Sequence, residues 1–99
     1  MAKLIYSAQA LNDLERLTDF LTASDPLAAL ETVELIEEAV SILRNHPLIG
    51  RAVNSDLREL VISRGRSGYV ALYSFELLHD AVLLLAIRHQ REAGYEEES

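Results

Sequence analysis

The sequence predicts an α+β domain of order β-α-α-β-β-β, a two-helix antiparallel hairpin packed on one face of a small, mainly antiparallel sheet. Three observations predict it. Leucines recur three and four residues apart through the first quarter of the chain, as on one side of a helix. A second helical pattern restarts at "ASDPL" after almost no linker. Beyond Pro47 the texture changes to short β-branched and aromatic runs separated by glycine and polar turns.

"KLIYS" (3–7) is a short run with Ile and Tyr and reads as a first strand. Ser7 then stands where an N-cap belongs. Leu11, Leu14, Leu17 and Leu21, with Phe20 beside them, form the apolar stripe of a helix over residues 8–23. Ser24 or Asp25 caps the next helix, and Pro26 suits its first turn, where no amide hydrogen is needed. That helix runs to Asn45 with Leu30, Val33, Ile36, Val40 and Leu43 inward, and "NHP" ends it. Residues 48–56 read as a loop, 57–63 as a strand, and "RGRSG" (64–68) as a hairpin turn. Strands follow at 69–75 and 81–89, joined by the turn "ELLHD". Both have apolar side chains on both faces, and one layer of two helices covers only one face of a sheet. A partner on the other face is therefore expected.

The chain of 99 residues makes one domain, assigned to 1–95, followed by an acidic tail at 96–99 expected to be solvated and mobile. It has no cysteine, which excludes disulfides and thiolate metal sites and suits a cytoplasmic protein. The start lacks a signal-peptide pattern, and the longest apolar run, 81–87, is too short to span a bilayer, so no membrane partner is expected. The net charge of −7 is uneven: −5 over residues 1–47, +2 over 48–91 and −4 over 92–99. That balance opposes indiscriminate nucleic-acid binding but leaves room for a small basic site in the second half.

The densest such cluster ends the last strand, where "AVLLLAI" gives way to Arg88, His89, Gln90 and Arg91. Strict alternation puts Leu83, Leu85, Ile87, His89 and Arg91 on one face and Val82, Leu84, Ala86, Arg88 and Gln90 on the other. Arginine forks at a strand end suit phosphate or acidic side chains. The same residues would equally serve as a solubilised strand end paired with nearby glutamates. Arg64 and Arg66 at the hairpin tip offer an anion contact or a plain solvated turn. His46, His79 and His89 are too dispersed for a metal site, and no phosphate loop or hydrolase elbow occurs, so neither metal nor cofactor is expected.

Taken in order, "HPLIGR", "LRELVIS", "GYVALYSF" and "AIRHQRE" resemble the RelE/ParE family of type II toxin–antitoxin systems, whose members are sometimes called plasmid stabilisation proteins. The resemblance covers residues 3–95. It implies a cognate antitoxin, a possible toxin–antitoxin hetero-oligomer, and one of two targets. RelE-like members cut mRNA in the ribosome; ParE-like members trap DNA gyrase on cleaved DNA. For a ribonuclease, the resemblance places His89, Arg91 and Tyr95 in the catalytic positions. For a target-binding surface it points to Arg58, Arg64, Arg66, Arg88, His89 and Arg91. Metal-free RNA cleavage needs a base, an acid and cations around one phosphate. The sole lysine is Lys3, far from this region, and no second proton-transfer group beside His89 is evident. The gyrase-poison reading, with no catalysis of its own, is therefore preferred. A degenerate module that only binds an antitoxin is the third reading.

Overall fold

The computed structural model describes residues 1–64 and 67–90, so Arg66, Arg91, Tyr95 and the acidic tail lie outside the described residues. The elements are β1 (Lys3–Tyr6), α1 (Ala8–Ser24), α2 (Pro26–Ser41), β2 (Arg51–Ala52), β3 (Arg58–Arg64), β4 (Ser67–Glu76) and β5 (Ala81–His89). Short 3-10 turns follow α2 at Ile42–Arg44 and β4 at Leu77–His79. The five strands form one sheet of order β1-β5-β4-β3-β2. β1 runs parallel to β5, and every other pairing is antiparallel. The predicted class and order hold. The addition is β2, two residues inside the predicted 48–56 loop, which pair with Arg58 and Glu59. Their signal is too short for a periodicity to show.

Both helix caps stand where the sequence puts them. Ser7 has extended backbone, and its Oγ accepts from the Ala10 amide at 3.0 Å. Asp25 alone separates the helices, closing α1 by donating its amide to Leu21 and opening α2 by accepting from Ala28 at 3.2 Å. A one-residue joint forces the antiparallel hairpin. The turn before β5 is closed by Asp80 in the left-handed region (φ 48°), with its carbonyl accepting from the Lys3 amide.

The helix faces match the predicted ones in part: Leu17, Ile36, Val40 and Leu43 are buried as expected. The buried positions of α1 are Ala10, Asp13 and Leu17, while Leu11 and Phe20 are exposed. In α2 they are Ala29, Thr32, Ile36 and Val40, with Leu30 exposed. The leucine stripe identifies the helices and, through Leu14 and Leu17, one side of the buried face. The helices meet the sheet through Ala10, Leu17, Ile36 and Val40, while Leu11 and Leu30 are left exposed. The core joins Ile36, Val40 and Leu43 to Ile62, Tyr69, Ala71, Tyr73, Val82, Leu84 and Ile87 on one sheet face. Each fully buried aliphatic side chain there contributes about 1.5–3 kcal/mol, enough that this face alone sets the strand register. On the other face Ile5 and Val61 are exposed, Leu72 and Leu83 are half-buried, and Val70 and Ala86 are buried.

Candidate target-binding site

The end of β5 does not follow strict alternation. Leu72 of β4 faces Ala86, but the next residue, Tyr73, faces Leu84, so Leu85 is an extra residue on β5. This one-residue bulge inverts the pattern beyond it. Val82 and Leu84 share the helix-covered face with Ile87 and His89, not with Arg88; Ala86 and Arg88 fall on the opposite face. The predicted grouping of Leu83, Leu85, Ile87 and His89 is corrected accordingly. A bulge leaves no mark in an apolar run, because each residue of "AVLLLAI" fits either face.

The backbone groups at the bulge are satisfied by α1 and its cap. The carbonyls of Leu84 and Leu85, successive residues, both accept from Ser7, through its amide at 2.9 Å and its hydroxyl at 3.2 Å. β1 has ended one residue earlier, at Tyr6, so no strand continues along this edge. In its place the carboxylate of Asp13, 1% exposed, accepts from the Ile87 amide at 3.0 Å. Its other oxygen accepts from Gln9 Nε2 at 2.8 Å and lies 3.4 Å from Arg16. A buried carboxylate is tolerable only with such donors. Sequence reading missed Asp13; its signal is an acid standing between Ala10 and Leu17 at helical spacing.

Two predicted site residues are placed apart by this geometry. His89 is half-buried, opposite Tyr69, with the rings edge to face at 5.5 Å between centroids. Arg88 is exposed and pairs with Val70. Arg64 is the last residue of β3, opposite Ser67 at the same end of the sheet. Arg58 sits at the other end of β3. Its guanidinium donates to the carbonyls of Gly50 at 2.7 Å and Leu48 at 3.2 Å. Buried Tyr73 holds the same loop, its hydroxyl accepting from the Gly50 amide at 2.9 Å. Burial raises the Tyr73 phenol above its ordinary value; the Gly50 hydrogen bond and nearby Arg58 oppose that rise. Arg58 and Tyr73 therefore fasten the "HPLIGR" loop to the sheet. Among the described residues no group of three or more His, Asp or Glu side chains is placed to hold a metal. No helix among them is long and apolar enough to cross a membrane.

A second candidate surface lies on the outer seam of the helix hairpin. Leu11, Leu14, Ala29, Leu30 and Val33 line a groove of about 540 Å³, with Glu15 and Asp19 at its rim. Leu11 is 53% and Leu30 56% exposed, large values for leucines that line one groove.

Residues 4–94 match the family model described as the ParE toxin of type II toxin–antitoxin system, parDE. Two curated relatives come from Caulobacter vibrioides. Toxin RelE3 is 36% identical over 84 residues, 85% of this chain and 89% of the relative. Toxin RelE1 is 36% identical over 89 residues, 90% of this chain and 94% of the relative. Among solved structures, the chromosomal ParDE TA system from P. aeruginosa aligns with a TM-score of 0.75 at 24% identity, covering 89% of this chain and 95% of that one. The intact E. coli RelBE toxin–antitoxin complex aligns with a TM-score of 0.65 at 15% identity, again over 89% and 95%. These two structural likenesses concern the fold. With the family match spanning nearly all of its length, and two helices on a five-stranded mixed sheet, the chain belongs to the ParE toxin family of the RelE/ParE superfamily.

Proposed function

We propose that this chain is the toxin of a type II toxin–antitoxin pair, that it poisons DNA gyrase by binding rather than by chemistry, and that a cognate antitoxin neutralises it in the cytoplasm. The observation that carries the binding reading is the end of β5, where alternation separates His89 from Arg88 and the bulge at Leu85 turns His89 to the helix-covered face. His89 lies against Tyr69 there and Arg88 on the other face, so the two do not converge on one phosphate. Arg58, a candidate phosphate contact, directs its donors to the carbonyls of Leu48 and Gly50. A ribonuclease working without metal needs an acid, a base and cations around one reacting centre. Separated cationic groups suit a surface that grips a large target at several points. Arg88 and His89, with Arg91 of the same sequence cluster and with Arg64 and Arg66 of the hairpin segment, are assigned to that grip.

The antitoxin is assigned to the outer seam of the helix hairpin, where an amphipathic helix buries apolar anchors in a groove. Complexes of toxin and antitoxin among the structural neighbours support such a partner. The names of the Caulobacter relatives favour a second reading, ribosome-dependent mRNA cleavage of the RelE kind. A purified supercoiling assay separates the two. The gyrase reading expects inhibited supercoiling, accumulated cleaved DNA and an induced DNA-damage response. Cuts positioned on codons in translated mRNA, with DNA intact, would reverse the assignment. Growth unaffected by induction would mark a module that only binds its antitoxin.

A further inference from the structure

We infer that the first two turns of α1, with its cap, are a clamp that decides which face of the sheet carries each residue of the candidate site, and that Asp13 is its positioning residue. In a regular strand successive carbonyls point to opposite edges. At Leu84 and Leu85 both carbonyls accept from Ser7 on the β1 edge, so Ser7 holds the extra residue from two sides. Two residues on, the Ile87 amide points to the same edge, where β1 no longer runs. A buried amide without an acceptor is unfavourable. The Asp13 carboxylate takes the place of a missing strand carbonyl, and Gln9 and Arg16 offset the cost of keeping its charge 1% exposed. Ser7 fixes the start of the bulge and Asp13 its end. Between them β5 gains one residue, and Ile87 and His89 rather than Ala86 and Arg88 come to lie on the helix side. Without the extra residue in its place, alternation from Leu84 turns Arg88 inward under the helices and His89 outward. The packing of Tyr69 on His89 and the exposure of Arg88 follow from α1, not from β5 itself. The inference rests on the reading of Arg88 and His89 as target contacts, but its test does not.

The test compares Asp13→Ala, Asp13→Asn and the wild-type chain by amide hydrogen exchange and by the nuclear Overhauser effect between the Tyr69 and His89 rings. Asp13→Ala should speed exchange at Ile87 by about tenfold or more relative to Ala71 and Tyr73, since removal of the acceptor opens that amide locally. The ring-to-ring effect should weaken in step. Asp13→Asn keeps an oxygen at the same place and should restore the ring-to-ring effect and most of the protection. Should Asp13→Ala fail to fold, Asp13→Leu fills the buried volume without an acceptor and is expected to show the same loosening. Unchanged Ile87 protection and an unchanged Tyr69–His89 signal in the alanine or leucine variant would overturn the clamp. Separately, full toxicity in Arg88→Ala with His89→Ala would defeat the target-contact reading while leaving the clamp standing.

Discussion

Tyr73→Phe removes one oxygen from the centre of the molecule and nothing else. Tyr73 is 0% exposed, and its hydroxyl accepts from the Gly50 amide at 2.9 Å. Gly50 is buried as well, so the freed amide has no ready route to water. Leaving a buried donor unsatisfied costs about 1–3 kcal/mol. The ring itself stays in place among the core residues, so no cavity larger than the oxygen opens. For a domain of this size each kcal/mol corresponds to a fall in Tm of roughly 4–8 °C. Arg58 still holds the carbonyls of Leu48 and Gly50, so the loop should stay attached and the loss should be local. Arg58→Met combined with Tyr73→Phe should couple by about 0.5–3 kcal/mol in a double-mutant cycle, because both hold one loop. The pH dependence follows by linkage. Burial raises the folded-state phenol pKa of Tyr73 above its ordinary value of 10.0, so the folded chain binds more protons than the unfolded one in alkali. The corresponding stability is fully present below pH 10.0 and is lost as pH rises through the raised value. Tyr6 shifts the same way through burial, then through Glu37, against Arg44. Thermal melts from neutral to strongly alkaline pH should therefore show a shallower alkaline loss in Tyr73→Phe than in the wild type. An unchanged Tm, with Gly50 amide exchange as slow as before, would refute the argument that this hydroxyl anchors the loop.

Three further outcomes are expected. Leu11→Asp with Leu30→Asp places charge in the outer groove at exposed positions; stability should move by no more than about 0.5 kcal/mol, whereas co-purification with the antitoxin should be abolished. Arg88→Ala with His89→Ala should reduce growth arrest in graded steps of about 1.5–3 kcal/mol for each charge-assisted hydrogen bond to the target that is removed, with a small fall in Tm because about 0.5–1.5 kcal/mol of edge-to-face packing on Tyr69 goes too. Gly50→Ala and Gly68→Ala should differ in thermal melts, the first melting lower. The added Cβ at Gly50 would stand 2.7 Å from the Glu59 carbonyl and 2.6 Å from the Tyr73 hydroxyl, which cannot retreat, whereas at Gly68 its nearest neighbours belong to the movable side chain of Gln90.

The class, the element order and the caps are legible because each is written in neighbouring residues. Ser7 and Asp25 cap helices through bonds spanning three positions. Leu14, Leu17 and Leu21 recur at the period of a helix. The rotation of α1 is not legible, since Leu11 and Ala10 are neighbours in the chain and both suit an apolar setting. Only the close approach of α1 to β5 selects the smaller one. The site is legible as a cluster and not as a geometry. Arg88 and His89 stand out in the chain and alternation separates them, but which of the two turns toward the helices depends on Leu85, whose extra place in β5 is held by Ser7, seventy-eight residues away. Arg58, which the resemblance points to as a target contact, fastens a loop in the fold, and the sequence does not show this because its acceptors are carbonyls, which every residue has.

By itself the sequence determined what is local and periodic: two capped helices, short strands, an acidic first half and a cationic strand end. Tertiary structure alone decided that Ala10 and Ala29 rather than Leu11 and Leu30 are buried, that Asp13 stands in for a strand, and which side of the sheet His89 faces. The physical reason is that backbone amides and carbonyls are identical along the chain. Their pairing is settled only where separate segments meet, and one extra residue in β5 turns every side chain beyond it to the other face.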